Sequence, residues 1–328
     1  MNRKIPRRTF LTSAAVTAGG AGLAAQDALT GGEATETNNV SEVRLEHLRP
    51  AEIEAAMERC PTLFQPLGTI EWHGLHNNVG VDVLKAHALC VGAARQSGGL
   101  VAPPLYGGMG GLDQPHTFVM EPENSLFSTL VRPWIETLCR EAVRQGFRAI
   151  ILLTGHYGAA QQIIVREAAV RMTRILGVPI LGTPEYILAL DESYGGDHAA
   201  WGETSLMMHL YPESVDLSRL GDPPHQGVGG RDPKEFASAK DGRRLAEVIS
   251  GRLAILAEKM PTWDAETIER FALAEGALVH TQQTKAGQNE NRNPWAAWRK
   301  LPQGVLDNYA QCLVDEKFEE IQEMATQL

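Results

Sequence analysis

Glu71, His73, His76 and Asp82 crowd into one short stretch, IEWHGLHNNVGVD at residues 70–82, otherwise rich in glycine and asparagine. Carboxylate oxygens and imidazole nitrogens together suit borderline divalent metals. Along an extended segment, residues two apart point the same way, so Glu71 and His73 project together and Trp72 points opposite. Asp82 stands just before a run with helical spacing, where a carboxylate serves either as helix N-cap or as a third ligand.

Two later stretches add donors of the same kind. His156 in LLTGHYG follows a strongly apolar run, and Gly155 and Gly158 beside it let the backbone approach whatever it faces. The imidazole reads either as a ligand or as a ring hydrogen-bonded to a loop carbonyl. GGDHAAWGETSLMM supplies His198 and Glu203. Glu203, in the first turn of an expected helix, either reaches into a crevice or merely complements the helix dipole. Three donor-bearing loops in one chain point to a shared site more strongly than each does alone.

The elements that must position them alternate. TLFQPLGTIEWH reads as a buried strand entering a loop, DVLKAHALCVGAARQSGG as a helix closed by glycines, and GLVAPPLYGG as a short strand. SLFSTLVRPWIETLCREAVRQGF has the spacing of a long amphipathic helix capped at Gly146. RAIILLTGHYG reads as a mid-sheet strand, AAQQIIVREAAVRMTRILG as a helix and VPILGTP as a strand. Alternation of this kind predicts an α/β fold, a three-layer αβα sandwich around a mostly parallel sheet, with a helical C-terminal extension. Ligands of such sheets gather beyond the C-terminal strand ends, where the loops after residues 68 and 154 fall. Beyond Asp197 come a helix at ETSLMMHLYPESV, a long loop at GDPPHQGVGGRDPKEFAS and a helix at DGRRLAEVISGRLAILAEKM. TQQTKAGQNENRNP reads as a polar surface stretch.

In these motifs the chain resembles the creatininase family of metal-dependent amidohydrolases. The family's Glu-x-His-Gly-x-His followed by Asp stands as Glu71, His73, Gly74, His76 and Asp82, and its Gly-His-[Gly/Tyr] as Gly155-His156-Tyr157. His-Ala followed by Glu-Thr-Ser stands as His198-Ala199 and Glu203-Thr204-Ser205. The resemblance covers roughly residues 45–260. It implies two divalent ions per chain, zinc, manganese or iron, with Asp82 bridging and Glu71, His73 and His156 as further ligands. Creatininase itself carries a glutamate two residues after the second-motif histidine, where this chain has Gly158, and that makes Glu203 the implied replacement. Thr154 and Ala159 stand where many relatives carry asparagine, so inherited substrate contacts do not transfer. The resemblance implies acid–base catalysis by His198, an orienting role for His76, and places for His116 and Tyr157 near the substrate.

The expected reaction is cleavage of a non-peptide C–N bond in a small cyclic amide or formamide by a metal-activated hydroxide. The alternatives are cleavage of a short peptide and non-catalytic binding of metal or ligand by an exported protein. Relatives commonly form hexamers, so the resemblance also implies a homo-oligomer. Residues 1–25 carry Arg3, Lys4, Arg7 and Arg8, then a moderately apolar segment ending in small residues, and read as a twin-arginine-type export signal to a periplasmic or extracellular destination. The alternative there is a basic tail before a cytosolic domain. Residues 26–42 read as a flexible linker, 43–262 as the metallohydrolase domain and 263–328 as the helical extension. A formal net charge of −10 argues against a nucleic-acid partner. No apolar run after the signal reaches the length of a membrane span. Cys60, Cys90, Cys139 and Cys312 lie far apart without a CxxC pair and read as core thiols, although an oxidising compartment would permit a bridge.

Overall fold

Strong apolar runs place the sheet. In the computed structural model, which describes residues 42–111, 114–119, 127–288 and 304–328, β1 (Thr62–Gly68) and β4 (Ala149–Thr154) are buried along their whole length. They pair in parallel from Thr62 against Ala149 to Leu67 against Thr154. β5 (Ile180–Pro184) adds to β4, again in parallel. On the other side of β1 lie β2 (Leu100–Val101) and β3 (Leu105–Tyr106). The single short strand expected at GLVAPPLYGG is thus two pieces, because Pro103 and Pro104 between them have no N–H to give the ladder. The side-chain amide of Gln65 donates to the Pro103 carbonyl at 2.9 Å in that gap.

The sheet alternates its faces between two cores. Phe64, Ile151, Leu153 and Leu181 face α2 (Val81–Ser97) and α7 (Ala239–Lys259). Leu63, Leu67, Ile150, Leu152 and Ile180 face α1 (Pro50–Arg59), α3 (Arg132–Arg144) and α4 (Ala159–Leu176). Each fully buried Leu, Ile or Phe contributes about 1.5–3 kcal/mol, so a strand with both faces covered is held against sliding by every second residue. The architecture is the expected three-layer αβα sandwich. Its strand order, β2-β1-β4-β5, turns the chain to opposite sides of β1, which makes the ends of β1 and β4 the switch point of the sheet.

α5 (Trp201–Leu210), α6 (Pro233–Phe236) and α8 (Ala265–Gln288) complete the helices up to residue 288, followed by helices Tyr309–Val314 and Phe318–Gln327. The last three join the α2 and α7 side instead of standing apart. Trp263, Phe271 and Phe318 pack ring against ring at 5.3 to 5.8 Å within that core. A buried ion pair, Arg166 of α4 to Glu275 of α8 at 2.6 Å with the Tyr309 hydroxyl donating to the same carboxylate, ties them to the sheet layer. A cut at residues 262/263 would therefore divide one hydrophobic core.

Two other expectations shift, and the reading of the cysteines as core thiols holds. α3 begins at Arg132, with Pro133 in its first turn, and a π-type turn occupies Phe127–Val131. Part of the supposed surface stretch extends α8, where Gln282 is buried and the Thr281 hydroxyl donates to the Ala325 carbonyl. All four cysteines are buried free thiols. The export signal and the linker up to residue 41 lie outside the described residues. Among the described residues no helix is long and apolar enough to cross a membrane.

Candidate metal centre

Beyond the C-terminal ends of β1 and β4, the loops carrying Glu71 and His73 and carrying His156 meet the first turn of α2. Gly155 permits the meeting, since a Cβ there would stand 2.0 Å from the Asp82 carbonyl oxygen. Asp82 is the second residue of α2, whose N-cap is Gly80 with no side-chain cap, so the N-cap reading is set aside and its carboxylate is left to the crevice. The third segment enters from α5. Ala199, at φ 53°, takes a left-handed conformation that costs an alanine about 1 kcal/mol, and the turn it makes sets His198 and Glu203 on the same side. Asp197 accepts from the Gly202 and Glu203 N–H groups at 2.6 and 3.1 Å and satisfies the start of that helix. Paired backbone bonds between His198 and Gly229 anchor the segment to the 221–232 loop.

Six side chains converge. Asp82 Oδ1 lies 3.1 Å from His73 Nε2, which is 3.4 Å from Glu203 Oε2. Asp82 Oδ2 lies 3.0 Å from His156 Nδ1, which is 3.1 Å from Glu71 Oε2. Asp82 thus turns one oxygen to each of two donor groups, Glu71-Asp82-His156 and His73-Asp82-Glu203. Two atoms bonded about 2.0–2.2 Å from a shared ion at ordinary angles stand about 2.8–3.6 Å apart, the spacing found here. These contacts are not simply hydrogen bonds, because His73 Nε2 and Asp82 Oδ2 are buried without a hydrogen-bond partner among the described residues. Glu71 and His73, expected to act as one two-toothed grip, turn to partners on different oxygens of Asp82 but also come together with His198 in a third donor group.

The imidazoles are oriented from behind. His73 Nδ1–H donates to the Glu71 carbonyl at 2.9 Å, and His156 Nε2–H donates to the Gly110 carbonyl at 2.7 Å. With those nitrogens protonated, the other nitrogen of each ring presents its lone pair to the carboxylates, as ligating histidines require. The residues therefore fit a pair of divalent ions. His156, for which a hydrogen-bonded loop histidine was the alternative, makes both kinds of contact at once.

Without ions, the same proximity holds protons. Burial alone would depress His73, but the Asp82 and Glu203 carboxylates raise it well above the ordinary imidazole range. Against the same burial, the close carboxylates of Asp82 and Glu71 push His156 up to about 10. Burial opposes ionisation of the carboxylates too, yet His73 and His156 hold Asp82 far below the usual range, and Lys85 and His73 hold Glu203 at about 2. At neutral pH the ion-free chain thus holds both imidazoles in the protonated, cationic form, and an ion bound through either ring would have to displace a proton. Metal affinity should rise about tenfold per pH unit per displaced proton and flatten only as the pH passes the raised values. Calorimetric titration in buffers of different protonation enthalpy, between about pH 6 and 8, should show about two protons released per loaded chain.

His198 stands at the rim. Its Nε2–H donates to the Trp72 carbonyl at 2.8 Å, which turns Nδ1 inward to 3.9 Å from Glu71 Oε2, and its side chain is 23% exposed where the other five are nearly closed off. Burial and then His73 lower its pKa, so it is neutral and ready to accept a proton at neutral pH. His76 does not touch the donors. Its Nε2 pairs with the Thr204 hydroxyl at 3.0 Å, so any influence on a ligand passes through α5. His116 is exposed with φ 61° and belongs to none of the donor groups. Tyr157 directs its hydroxyl into a buried cluster with Lys85, Glu185 and Tyr194. Thr154 spends its hydroxyl on the His156 turn, accepting from the His156 N–H at 3.2 Å.

Comparison with known proteins decides the family. A model described as creatinine amidohydrolase matches residues 46–254. The chain belongs to the creatininase family. The creatinine amidohydrolase of Pseudomonas putida is 32% identical over 49% of this chain and 69% of its own length. A solved manganese creatininase superposes with a TM-score of 0.53 at 28% identity, over 67% of this chain and 100% of that one. A mutant creatininase of Zn-Zn type does so with a TM-score of 0.54 at 27% identity, over 67% and 99%. As a creatininase-family enzyme the chain is a hydrolase of carbon–nitrogen bonds other than peptide bonds. At Gly158 a side chain would meet the Met109 carbonyl, with Cβ at 2.3 Å, so this backbone has no room for a ligand there, and Glu203 lies in the second donor group instead.

Sequence reasoning passed over Lys85 and Glu185, both completely buried beside Glu203. Signals existed. Lys85 lies one turn after Asp82 on a helix face continued by Leu89 and Ala93, where an ammonium is out of place without a partner. Glu185 directly follows β5, at the same end of the sheet as His156.

Proposed function

We propose that this chain hydrolyses the amide C–N bond of a small cyclic amide or formamide, using a pair of divalent ions. Glu71, Asp82 and His156 would hold one ion, and His73, Asp82 and Glu203 the other. The observation that carries the reading is the division of the Asp82 carboxylate between two donor groups, since a structural site would close around one ion. Bound there, a divalent pair supplies Lewis acidity toward a carbonyl oxygen and lowers the pKa of a water. His198 Nδ1 accepts the proton released when water adds to the carbonyl carbon. As the C–N bond breaks, the same nitrogen passes that proton to the leaving nitrogen, and the products are a carboxylate and an amine. The Trp72 carbonyl keeps the imidazole in the tautomer this requires. The Trp72 indole N–H donates to the Gln226 carbonyl at 3.3 Å and joins the loop that carries Glu71 and His73 to the 221–232 loop.

Export is part of the proposal, supported by the paired arginines Arg7-Arg8 ahead of an apolar segment. A twin-arginine route carries folded proteins and so would deliver the centre already loaded.

Elemental analysis of the purified chain, followed by turnover measurements on creatinine, simple lactams, formamides and short peptides, tests the reading. About two transition-metal ions per chain with hydrolysis of a cyclic amide or formamide is the expected result. Turnover confined to peptides would replace the substrate class, and full loading without turnover on any amide would favour a binding protein.

A further inference from the structure

We propose that Lys85 is a positioning residue that takes one oxygen of Glu203, so that Glu203 offers a single oxygen to the second ion. The inference rests on the two-ion reading above. An ammonium next to a site for cations is unfavourable by itself, both in charge and in desolvation. Here it is completely buried and uses its donors fully. Lys85 Nζ contacts Glu203 Oε1 in a short hydrogen bond, lies 3.1 Å from Glu185 Oε1 and donates to the Tyr157 hydroxyl at 2.9 Å. The ring of Tyr157 lies beneath it at 4.0 Å. Tyr157 in turn contacts Glu185 and Tyr194, so the ammonium sits in a held frame drawn from α2, the loop after β4 and the turns after β5.

The other oxygen of Glu203 accepts from the Ala199 N–H at 2.7 Å and faces His73 Nε2 at 3.4 Å. The carboxylate is thus pinned at both ends, with one oxygen toward the ion position and one toward Lys85. Lys85 and Glu185 form a neutral pair, so what Lys85 adds to the centre is orientation of a ligand, with little change in net charge. Three protein atoms then face the second ion, His73 Nε2, Asp82 Oδ1 and Glu203 Oε2. A site with three single-atom protein ligands keeps a position open and suits a four-coordinate ion. Released from Lys85, Glu203 can close on the ion with both oxygens and raise its coordination number.

Cobalt(II) provides a readout separate from turnover, because four-coordinate cobalt absorbs visible light much more strongly than six-coordinate cobalt. In the wild type the second cobalt equivalent should give strong, four-coordinate-type bands, and weak bands there would overturn the proposal whatever the variants do. Lys85→Met combined with Glu185→Gln removes the pair without changing net charge. It should weaken the absorption of the second equivalent several-fold and lower that ion's affinity, by chelator competition, about tenfold, with the first ion nearly unchanged. Lys85→Arg should retain the wild-type spectrum. A folded double variant with wild-type spectrum and affinity would make Lys85 a merely structural residue and sink the proposal. A wild type that binds one ion or none overturns the two-ion reading itself, and is distinguished by the stoichiometry before any variant is compared.

Discussion

Asp82→Ala should lower the metal content from about two ions per chain to less than one and reduce turnover by about a thousandfold or more. The expectation follows from the placement of both its oxygens, 3.1 Å from His73 and 3.0 Å from His156, so one substitution removes a ligand from each donor group. It should also destabilise the ion-free chain. There His73 and His156 carry protons whose nearest compensation is this carboxylate, and removing one partner of a buried charge pair costs about 3–5 kcal/mol. Elemental analysis and denaturant titration in the presence of a chelator measure the two effects. Glu71→Ala should act differently, since of the two groups that share Asp82 it belongs only to the one with His156, and should spare the second ion. Loss of only one ion from Asp82→Ala would contradict the bridging arrangement.

His198→Ala should leave both ions in place and lower kcat by about 10² to 10⁴, the range for loss of a positioned proton carrier. Its Nδ1 is 3.9 Å from Glu71 Oε2 and outside the two groups that share Asp82, although it forms a third group with Glu71 and His73, so the proposal gives it a proton-carrying role without a share of the pair. The acidic limb of the rate profile should report the same group, because burial and His73 lower its pKa and keep it in the accepting form through neutrality. Metal content by elemental analysis and kcat from initial rates, taken on the same preparation, separate the two roles. Loss of an ion along with activity would make His198 a ligand.

Much of the fold was legible because burial has a period. Runs such as AIILL at residues 149–153 are apolar at every position only where both faces of a strand are covered, and the helices between them repeat at three and four residues. Glycine and proline marked the boundaries, and the misjudged ones involve the same residues. Pro103 and Pro104 broke a strand read as one, and Pro133 moved the start of a helix. The polar stretch after Thr281 misled because helix propensity and tertiary cover outweighed its composition, and a buried Gln282 has no signature in its neighbours.

At the centre, the sequence by itself determined the donor types and their place after strands: Glu71 and His73 past β1, His156 past β4, and Glu203 one turn into a helix. Tertiary structure decided which donors share a position. That pairing depends on strand order and on the approach of α2 to Gly155, neither of which local periodicity encodes. It divided Asp82 between two groups, set His116 outside them and turned His76 toward Thr204. It also brought Lys85 and Glu185, a hundred residues apart, against Glu203, because a buried charge finds its partner in space and leaves only its own misplacement in the chain.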